Sequence, residues 1–228
     1  MADLDIKKAE ELEEKYDSGL QTRAIGPFLV KFTFAFSIVF AFYHYITAGT
    51  GVPVDYWHMG THMAGVVTLI FIGFPAFRNK GTQQLQRNTW WRYGNVPIWD
   101  WGLVVAGIAS SYYIGITWYE IDFELFGKRF YLDEQVLRQG NLAKIDVVFG
   151  TILICVLLEA VRRTLGIVVP IIIIIFTIYA VFGEYMPLQI LKHPGVSWKL
   201  YINSMYFPEE GIYGVTLWIV STVVFHFV

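Results

Sequence analysis

The sequence has few charged residues and a single cysteine. Asp, Glu, Lys and Arg make up 16% of its 228 residues, against about 25% in ordinary soluble domains, while 55% are hydrophobic. The formal net charge of −2 provides no basic excess for binding phosphates, so nucleic acid is not expected as a partner. Cys155 has no second cysteine with which to form an intrachain disulfide. The shortage of charge points to a lipid bilayer as the surroundings of the chain.

Motifs for nucleotide or hydrolase chemistry are also missing. The sequence contains no GxxxxGK[ST] loop, no GxGxxG fingerprint, no GxSxG elbow and no HExxH pair. We therefore predict that the chain is not an enzyme and holds no cofactor. A membrane protein without these motifs is more often a transporter, a scaffold or a subunit than an enzyme.

Six apolar stretches approach the roughly 20 residues that a helix needs to cross a bilayer core. They cover approximately residues 25–48, 57–77, 97–118, 142–161, 167–186 and 211–228. The prediction is an all-α, polytopic membrane protein with about six transmembrane helices. The last stretch stays apolar to the final residue, so we expect the polypeptide to continue or another chain to complete it.

Lysines and arginines set the orientation of these spans. The connection between the second and third stretches carries four basic residues and no acidic one: Arg78, Lys80, Arg87 and Arg92. The sequence therefore predicts a cytoplasmic N-terminus. Residues 1–22 form an acidic cytoplasmic lead-in that could be helical, and the longest outside loop, residues 119–141, offers the best surface for a partner.

Three ionisable residues at the end of the fourth stretch are candidates for an ion pair. Glu159 lies in LLEAVRRTLG, with Arg162 and Arg163 three and four residues later on the same helical face. We expect these arginines to neutralise the acid locally, in preference to a proton-relay role.

Two aspartates lie near predicted helix starts. Asp100 and Asp146 are expected to act as caps or as partners of the helix dipole. Arg138 precedes Asp146 across a Gly-Asn turn and could pair with it.

The histidines support a different hypothesis. His44 lies near the outer end of the first stretch, and His58 and His62 lie near the outer start of the second. These side chains could converge and hold a metal or a haem. Histidines at such interfaces more often bond water or a carbonyl, and His226 lies at the opposite side.

Several colinear segments resemble one transporter family. They are EKYDSGLQTRAIG, FSIVFAFYHYITAGTG, WHMGTHMAGVVTLIFIGFP, VPIWDWGLVVAG, RQGNLAKIDVVFG, LLEAVRRTLG, FTIYAVFGEYMP, LKHPGVS and EEGIYGVT. In this order they resemble the N-terminal part of the fused permeases of tripartite ATP-independent periplasmic (TRAP) transporters, in the branch with TAXI-type binding proteins.

The resemblance implies a division of the chain and a role. Residues 23–166 would form a four-helix scaffold domain, and residues 167–228 would begin the large transport domain that carries substrate. The family imports organic acids with a Na⁺ or H⁺ gradient, and a periplasmic binding protein delivers the substrate. The transport site would then lie outside this chain, and the resemblance implies a location in a bacterial or archaeal cell membrane. The alternatives are a membrane anchor of a redox complex, with histidine ligands, and a scaffold without a transport role.

Overall fold

The computed structural model describes residues 22–52, 54–77, 91–125, 127–207 and 211–224. Within these ranges the chain is mainly helical, as predicted. The described residues do not include the lead-in up to residue 21, the basic residues Arg78, Lys80 and Arg87, or His226.

Eight α-helices and two short hairpins follow one another along the described chain. The elements are α1 (Pro27–Thr50), α2 (Asp55–Gly73), β1 (Arg92–Tyr93), β2 (Val96–Pro97), α3 (Ile98–Ile116), β3 (Ile121–Leu125), β4 (Lys128–Leu132), α4 (Gln135–Arg138), α5 (Lys144–Thr164), α6 (Val168–Phe182), α7 (Trp198–Tyr206) and α8 (Val215–Ser221).

The long helices coincide with the first five predicted stretches. At 1.5 Å per residue, the 24 residues of α1 extend about 36 Å and the 21 residues of α5 about 32 Å. Two of the described helices, Pro27–Thr50 and Val168–Tyr185 including its terminal 3₁₀ turn, are long and apolar enough to cross a membrane.

The sixth predicted span, over residues 211–228, differs from the structure. Its described part contains only α8, whose seven residues extend about 10 Å and cannot cross a bilayer. The preceding segment, predicted as an outside loop, contains α7, with Tyr201, Ile202 and Tyr206 buried. Hydropathy missed α7 because it is short and only one of its faces is apolar.

Helices α2, α3 and α5 form the centre of the fold, and α7 and α8 pack against them. One half of the core lies between α2, α3 and α5 and contains Val67, Phe71, Val104, Val156 and Ala160. The other half adds Tyr206 and Tyr213 from the C-terminal part of the chain.

Glycines permit close approach of the central helices. A Cβ atom at Gly60 would stand 2.8 Å from the backbone oxygen of Ser111 in α3, and one at Gly107 would stand 2.5 Å from Val67. Because real Cβ atoms do not approach this closely, a side chain at Gly60 would force α2 and α3 apart.

The predicted outside loop contains an antiparallel hairpin. β3 and β4 pair in the register Asp122 with Tyr131 and Phe123 with Phe130. Gly127 in the turn has φ of 73°, a conformation that glycine adopts without strain. In β3, Ile121, Phe123 and Leu125 alternate with the acidic Asp122 and Glu124, and a search for long apolar runs does not detect this two-residue period.

Candidate functional site

A buried ion network joins the helix ends at one end of the fold, which the sequence predicts to be cytoplasmic. Asp100, in the first turn of α3, accepts a hydrogen bond from Arg163 Nη2 at 2.8 Å and another from Arg23 Nη2. The side chains of both arginines are at most 2% exposed, and that of Asp100 is fully buried. The network therefore fixes α3, the end of α5 and the segment before α1.

Asp100 does not cap its helix. No side-chain hydrogen bond caps α3 at Pro97, so the predicted capping role is replaced by an ion pair with two arginines. The first-turn position still favours a negative charge near the helix N-terminus. The arginine partners are 77 and 63 residues away in sequence, and no local pattern indicates them.

Glu159 pairs with both neighbouring arginines at the end of α5. Its carboxylate accepts bonds from Arg162 Nε at 2.7 Å and from Arg163 Nε at 2.7 Å, so the local pairing expected from the sequence is present. Arg163 also reaches Asp100, which makes this pair part of the larger network.

The same arginines bond backbone carbonyls just beyond α2. Arg162 Nη2 donates to the Ala76 carbonyl at 2.8 Å, and Arg163 Nη1 donates to the Phe74 carbonyl at 3.1 Å. The last carbonyls of a helix and of the turn that follows lack intrahelical partners. The network therefore also positions the end of α2.

A second buried network lies at the opposite end of the fold. Arg138 donates to both carboxylate oxygens of Asp146, with Nε and Nη2 each at 3.1 Å. Tyr113 donates its hydroxyl to the same carboxylate at 2.6 Å, and the Ala143 backbone N–H donates at 2.7 Å. Asp146 therefore meets Arg138, as the sequence indicated, and also caps α5 through Ala143.

Tyr113 is a member that sequence analysis missed. It lies in α3, 33 residues before Asp146, and reaches the carboxylate only because α3 and α5 pack side by side. Its hydroxyl takes a lone pair that neither Arg138 nor Ala143 uses, so the buried carboxylate is well satisfied.

The three predicted histidines converge between α1 and α2. His62 Nδ1 lies 3.0 Å from His44 Nε2, and the rings of His44 and His58 are 5.2 Å apart. His58 Nε2 lies 2.8 Å from the carbonyl of Ser221 at the end of α8, and its Nδ1 lies 3.1 Å from the Tyr43 hydroxyl. The cluster links α1, α2 and α8.

The partners of these rings assign their protons. A carbonyl only accepts, so His44 Nδ1, 2.8 Å from the Phe40 carbonyl, carries a proton, and its Nε2 accepts from His62. By the same argument, His58 donates through Nε2 and accepts from Tyr43 through Nδ1. The three rings are therefore hydrogen-bonded to one another, to a tyrosine hydroxyl or to the backbone.

The cluster does not have the arrangement of a metal centre. Within the described ranges, no group of three or more His, Cys, Asp or Glu side chains is placed to hold a metal ion. In His44 and His58, both ring nitrogens lie within hydrogen-bond distance of a protein partner.

Two tyrosines fix the C-terminal segment onto α3. Tyr206 donates to the Ser110 carbonyl and Tyr213 to the Ser111 carbonyl, each at 2.6 Å. Both hydroxyl groups are buried. Nothing in the sequence beyond their aromatic residue type indicated that these two tyrosines would bond to α3.

The hairpin at the predicted outer end carries exposed charges. Arg129 donates to Asp122 through Nε at 2.9 Å, and this hydrogen bond lowers the pKa of the carboxyl group. Tyr131 donates to Asp133 at 2.9 Å, which raises the pKa of its phenol to about 12. Neither group has the burial expected of a catalytic acid or base.

Comparison with known proteins gives no match: no family model, no curated protein and no solved structure is similar to this chain. Functional inference therefore depends on the residues, their arrangement and the sequence resemblance.

Proposed function

We propose that the chain is a membrane scaffold: a helical body embedded in the bilayer that forms part of a TRAP-type transporter. One observation carries the membrane location. The outward surfaces of α1 and α6 are almost wholly apolar, while the buried charges gather at the two ends of the central helices.

Helix α6 makes the argument most clearly. Ile171, Ile172, Ile173, Ile174 and Ile175 are each 38–58% exposed, so isoleucine faces outward on every side of the helix. Exposed apolar area costs about 25 cal/mol per Å² in water, and soluble monomers rarely expose apolar patches beyond a few hundred Å². Lipid removes that cost.

The distribution of charge agrees with a bilayer around the bundle. The Asp100 network lies at one end of α3, and the Asp146 network lies near its other end and at the start of α5. An ionisable group at membrane depth is costly unless it is paired, and all of these side chains are paired. About six crossings of the whole polypeptide, with the Asp100 end in the cytoplasm, remain part of the proposal.

The transport role follows from the resemblance together with the rigidity of this body. A transport domain can move a solute only if another part stays fixed, and ion networks at both ends hold α2, α3 and α5 in place. Residues 23–166 are proposed as that fixed part. Residues 167–228 would begin the large domain and join it to the scaffold through Tyr206 and Tyr213.

In this proposal a TAXI-type periplasmic protein delivers an organic acid, and a Na⁺ or H⁺ gradient drives uptake through the remaining polypeptide. The test is uptake into proteoliposomes that contain the whole permease. Uptake should require the gradient, the binding protein and residues 23–166. Full uptake after deletion of residues 23–166, with the protein still inserted, would refute the scaffold role.

A second candidate, the membrane anchor of a redox complex, is favoured by one observation, the convergence of His44, His58 and His62. It predicts haem absorbance in protein purified from cells supplied with haem. The hydrogen bonds of these rings to one another and to carbonyls favour the structural role instead.

A further inference from the structure

A small cavity opens beside the Asp100 network. It measures about 120 Å³ and is lined by Arg23 and Arg92 together with Asn95, Phe77 and Trp99. A bound water needs roughly 10–15 Å³ of such space, so the cavity can take a group of several heavy atoms. It lies where α2 has ended and α3 begins, at the proposed cytoplasmic surface of the bilayer.

Arg23 has an unused donor at this place. Its Nη2 donates to Asp100 and to the Phe74 carbonyl, but no acceptor in the described part of the chain reaches its buried Nη1. A buried N–H group without an acceptor destabilises the fold, and the cost is larger when the group is charged. An acceptor entering the cavity would remove that cost.

Positive charge is in excess around the cavity. The cluster contains four guanidinium groups and two carboxylates, namely Arg23, Arg92, Arg162 and Arg163 with Asp100 and Glu159. Burial lowers the pKa of Arg23, its bond to Asp100 raises that pKa, and the neighbouring charges of Arg163 and Arg92 lower it further. Among the described residues of the cluster, positive charge thus exceeds negative charge, as expected of an anion site.

The rim of the cavity is suited to lipid. Trp99 is 56% exposed, and tryptophan concentrates at the level of lipid headgroups, while Phe77, 79% exposed, adds apolar surface beside it. Guanidinium groups match the tetrahedral oxygens of a phosphate through paired N–H donors.

We propose that this cavity binds the phosphate group of an anionic phospholipid of the cytoplasmic leaflet, with Arg23 and Arg92 as its ligands. The lipid supplies the missing negative charge and holds the junction of α2 and α3 at the membrane surface. The inference depends on the proposed membrane location but not on transport.

The test measures binding to the purified full chain in detergent micelles. Three probes are titrated: phosphatidylglycerol, phosphatidylcholine of the same acyl chains, and inorganic phosphate. Arg92→Gln removes one ligand and keeps the Asp100 ion pairs, so folding should survive. Arg23→Lys keeps the positive charge but replaces the planar guanidinium group by an ammonium group with fewer N–H donors. Arg129→Gln, an arginine on the distant β3–β4 hairpin, is the matched control.

Phosphatidylglycerol should bind saturably and more tightly than phosphatidylcholine. Arg92→Gln should weaken it about tenfold, the effect of losing one hydrogen bond to a charged group, whereas Arg129→Gln should leave it unchanged. Arg23→Lys should also weaken binding, and because it replaces the guanidinium group bonded to Asp100 and Phe74, its thermal midpoint is measured in parallel.

Two results would overturn the assignment. Equal affinity for both lipids, with tight binding of inorganic phosphate that depends on Arg92, would identify a free-phosphate site. Phosphatidylglycerol binding that Arg92→Gln and Arg129→Gln affect equally would mean a general surface attraction. Membrane insertion is tested separately, by asking whether a thiol reagent that cannot cross the membrane labels Cys155. That result distinguishes failure of this inference from failure of the proposed membrane location.

Discussion

Replacing Asp146 by asparagine tests whether the Asp146 ion network holds the fold together. The substitution keeps the size of the side chain and one acceptor oxygen, so Tyr113 or Ala143 still finds a partner. It removes the charge opposite Arg138, whose side chain is 5% exposed. The arginine is then left buried and uncompensated.

The expected cost is large. Removing one member of a buried ion pair costs about 3–5 kcal/mol. For a chain of this size, each kcal/mol shifts the unfolding midpoint by roughly 2–4 °C. Asp146→Asn should therefore lower the midpoint by roughly 6–20 °C, as followed by tryptophan fluorescence of the protein in detergent.

The chain supplies a matched control. Asp122→Asn makes the same chemical change opposite Arg129, but in an exposed pair whose side chains are 40% and 71% exposed. Solvent screens an exposed pair and such pairs contribute little to stability, so the midpoint should shift far less than in Asp146→Asn.

A second variant isolates the uncompensated charge as the cause. Combining Asp146→Asn with Arg138→Met removes that charge and should recover at least half of the lost midpoint. If Asp146→Asn matches the Asp122→Asn control, or if the double variant is as unstable as the sum of the single ones, the reasoning about this network is wrong.

Two further predictions concern the packing of the helices, and a third concerns the exposed ion pair of the hairpin. Gly60→Ala should cost about 1–3 kcal/mol because its Cβ would meet the backbone of α3. Gly102→Ala places its Cβ in open space and should stabilise α3 by up to about 1 kcal/mol. Equal unfolding midpoints for the two variants would contradict the close packing. His58→Phe leaves the Ser221 carbonyl without its hydrogen-bond donor and should lower the stability of the fold by about 1–3 kcal/mol. The loss should appear as faster amide hydrogen exchange in α8. Unchanged exchange would show that the histidine does not hold this helix. Because its arginine partner lowers the pKa of Asp122, the pair stabilises the hairpin above the ordinary pKa of about 4 and loses that effect as pH falls through the lowered value. Hairpin amide protection should follow this pH dependence and lose it in Asp122→Asn.

The long helices could be predicted because their apolar runs are uninterrupted. The first stretch was predicted over residues 25–48 and forms Pro27–Thr50, and the fourth was predicted over 142–161 and forms Lys144–Thr164. The shorter elements could not be predicted this way. Helix α7 is positioned by its packing against the core, and the β3–β4 hairpin depends on a glycine turn. Hydropathy averaged over 20 residues detects neither feature.

The same limit applies to the ion networks. Glu159 with Arg162, and Arg138 with Asp146, are separated by three and eight residues, so helix geometry or a short turn indicates them. The bond between Arg23 and Asp100 crosses 77 residues and depends on how the helices assemble. Sequence spacing identifies the local half of each network, and only the fold identifies the rest.

The most direct test of the membrane scaffold is the labelling of single cysteines in intact cells with a charged, membrane-impermeant thiol reagent. The natural Cys155 is exposed on α5, about 16 Å along the helix from Lys144, so lipid should shield it until the protein is denatured. In a Cys155→Ser background, Lys128→Cys on the hairpin should react from outside, and Tyr93→Cys in β1 should react only after the membrane is opened. Labelling of Cys155 in intact membranes, or reaction of Tyr93→Cys from outside, would contradict the account.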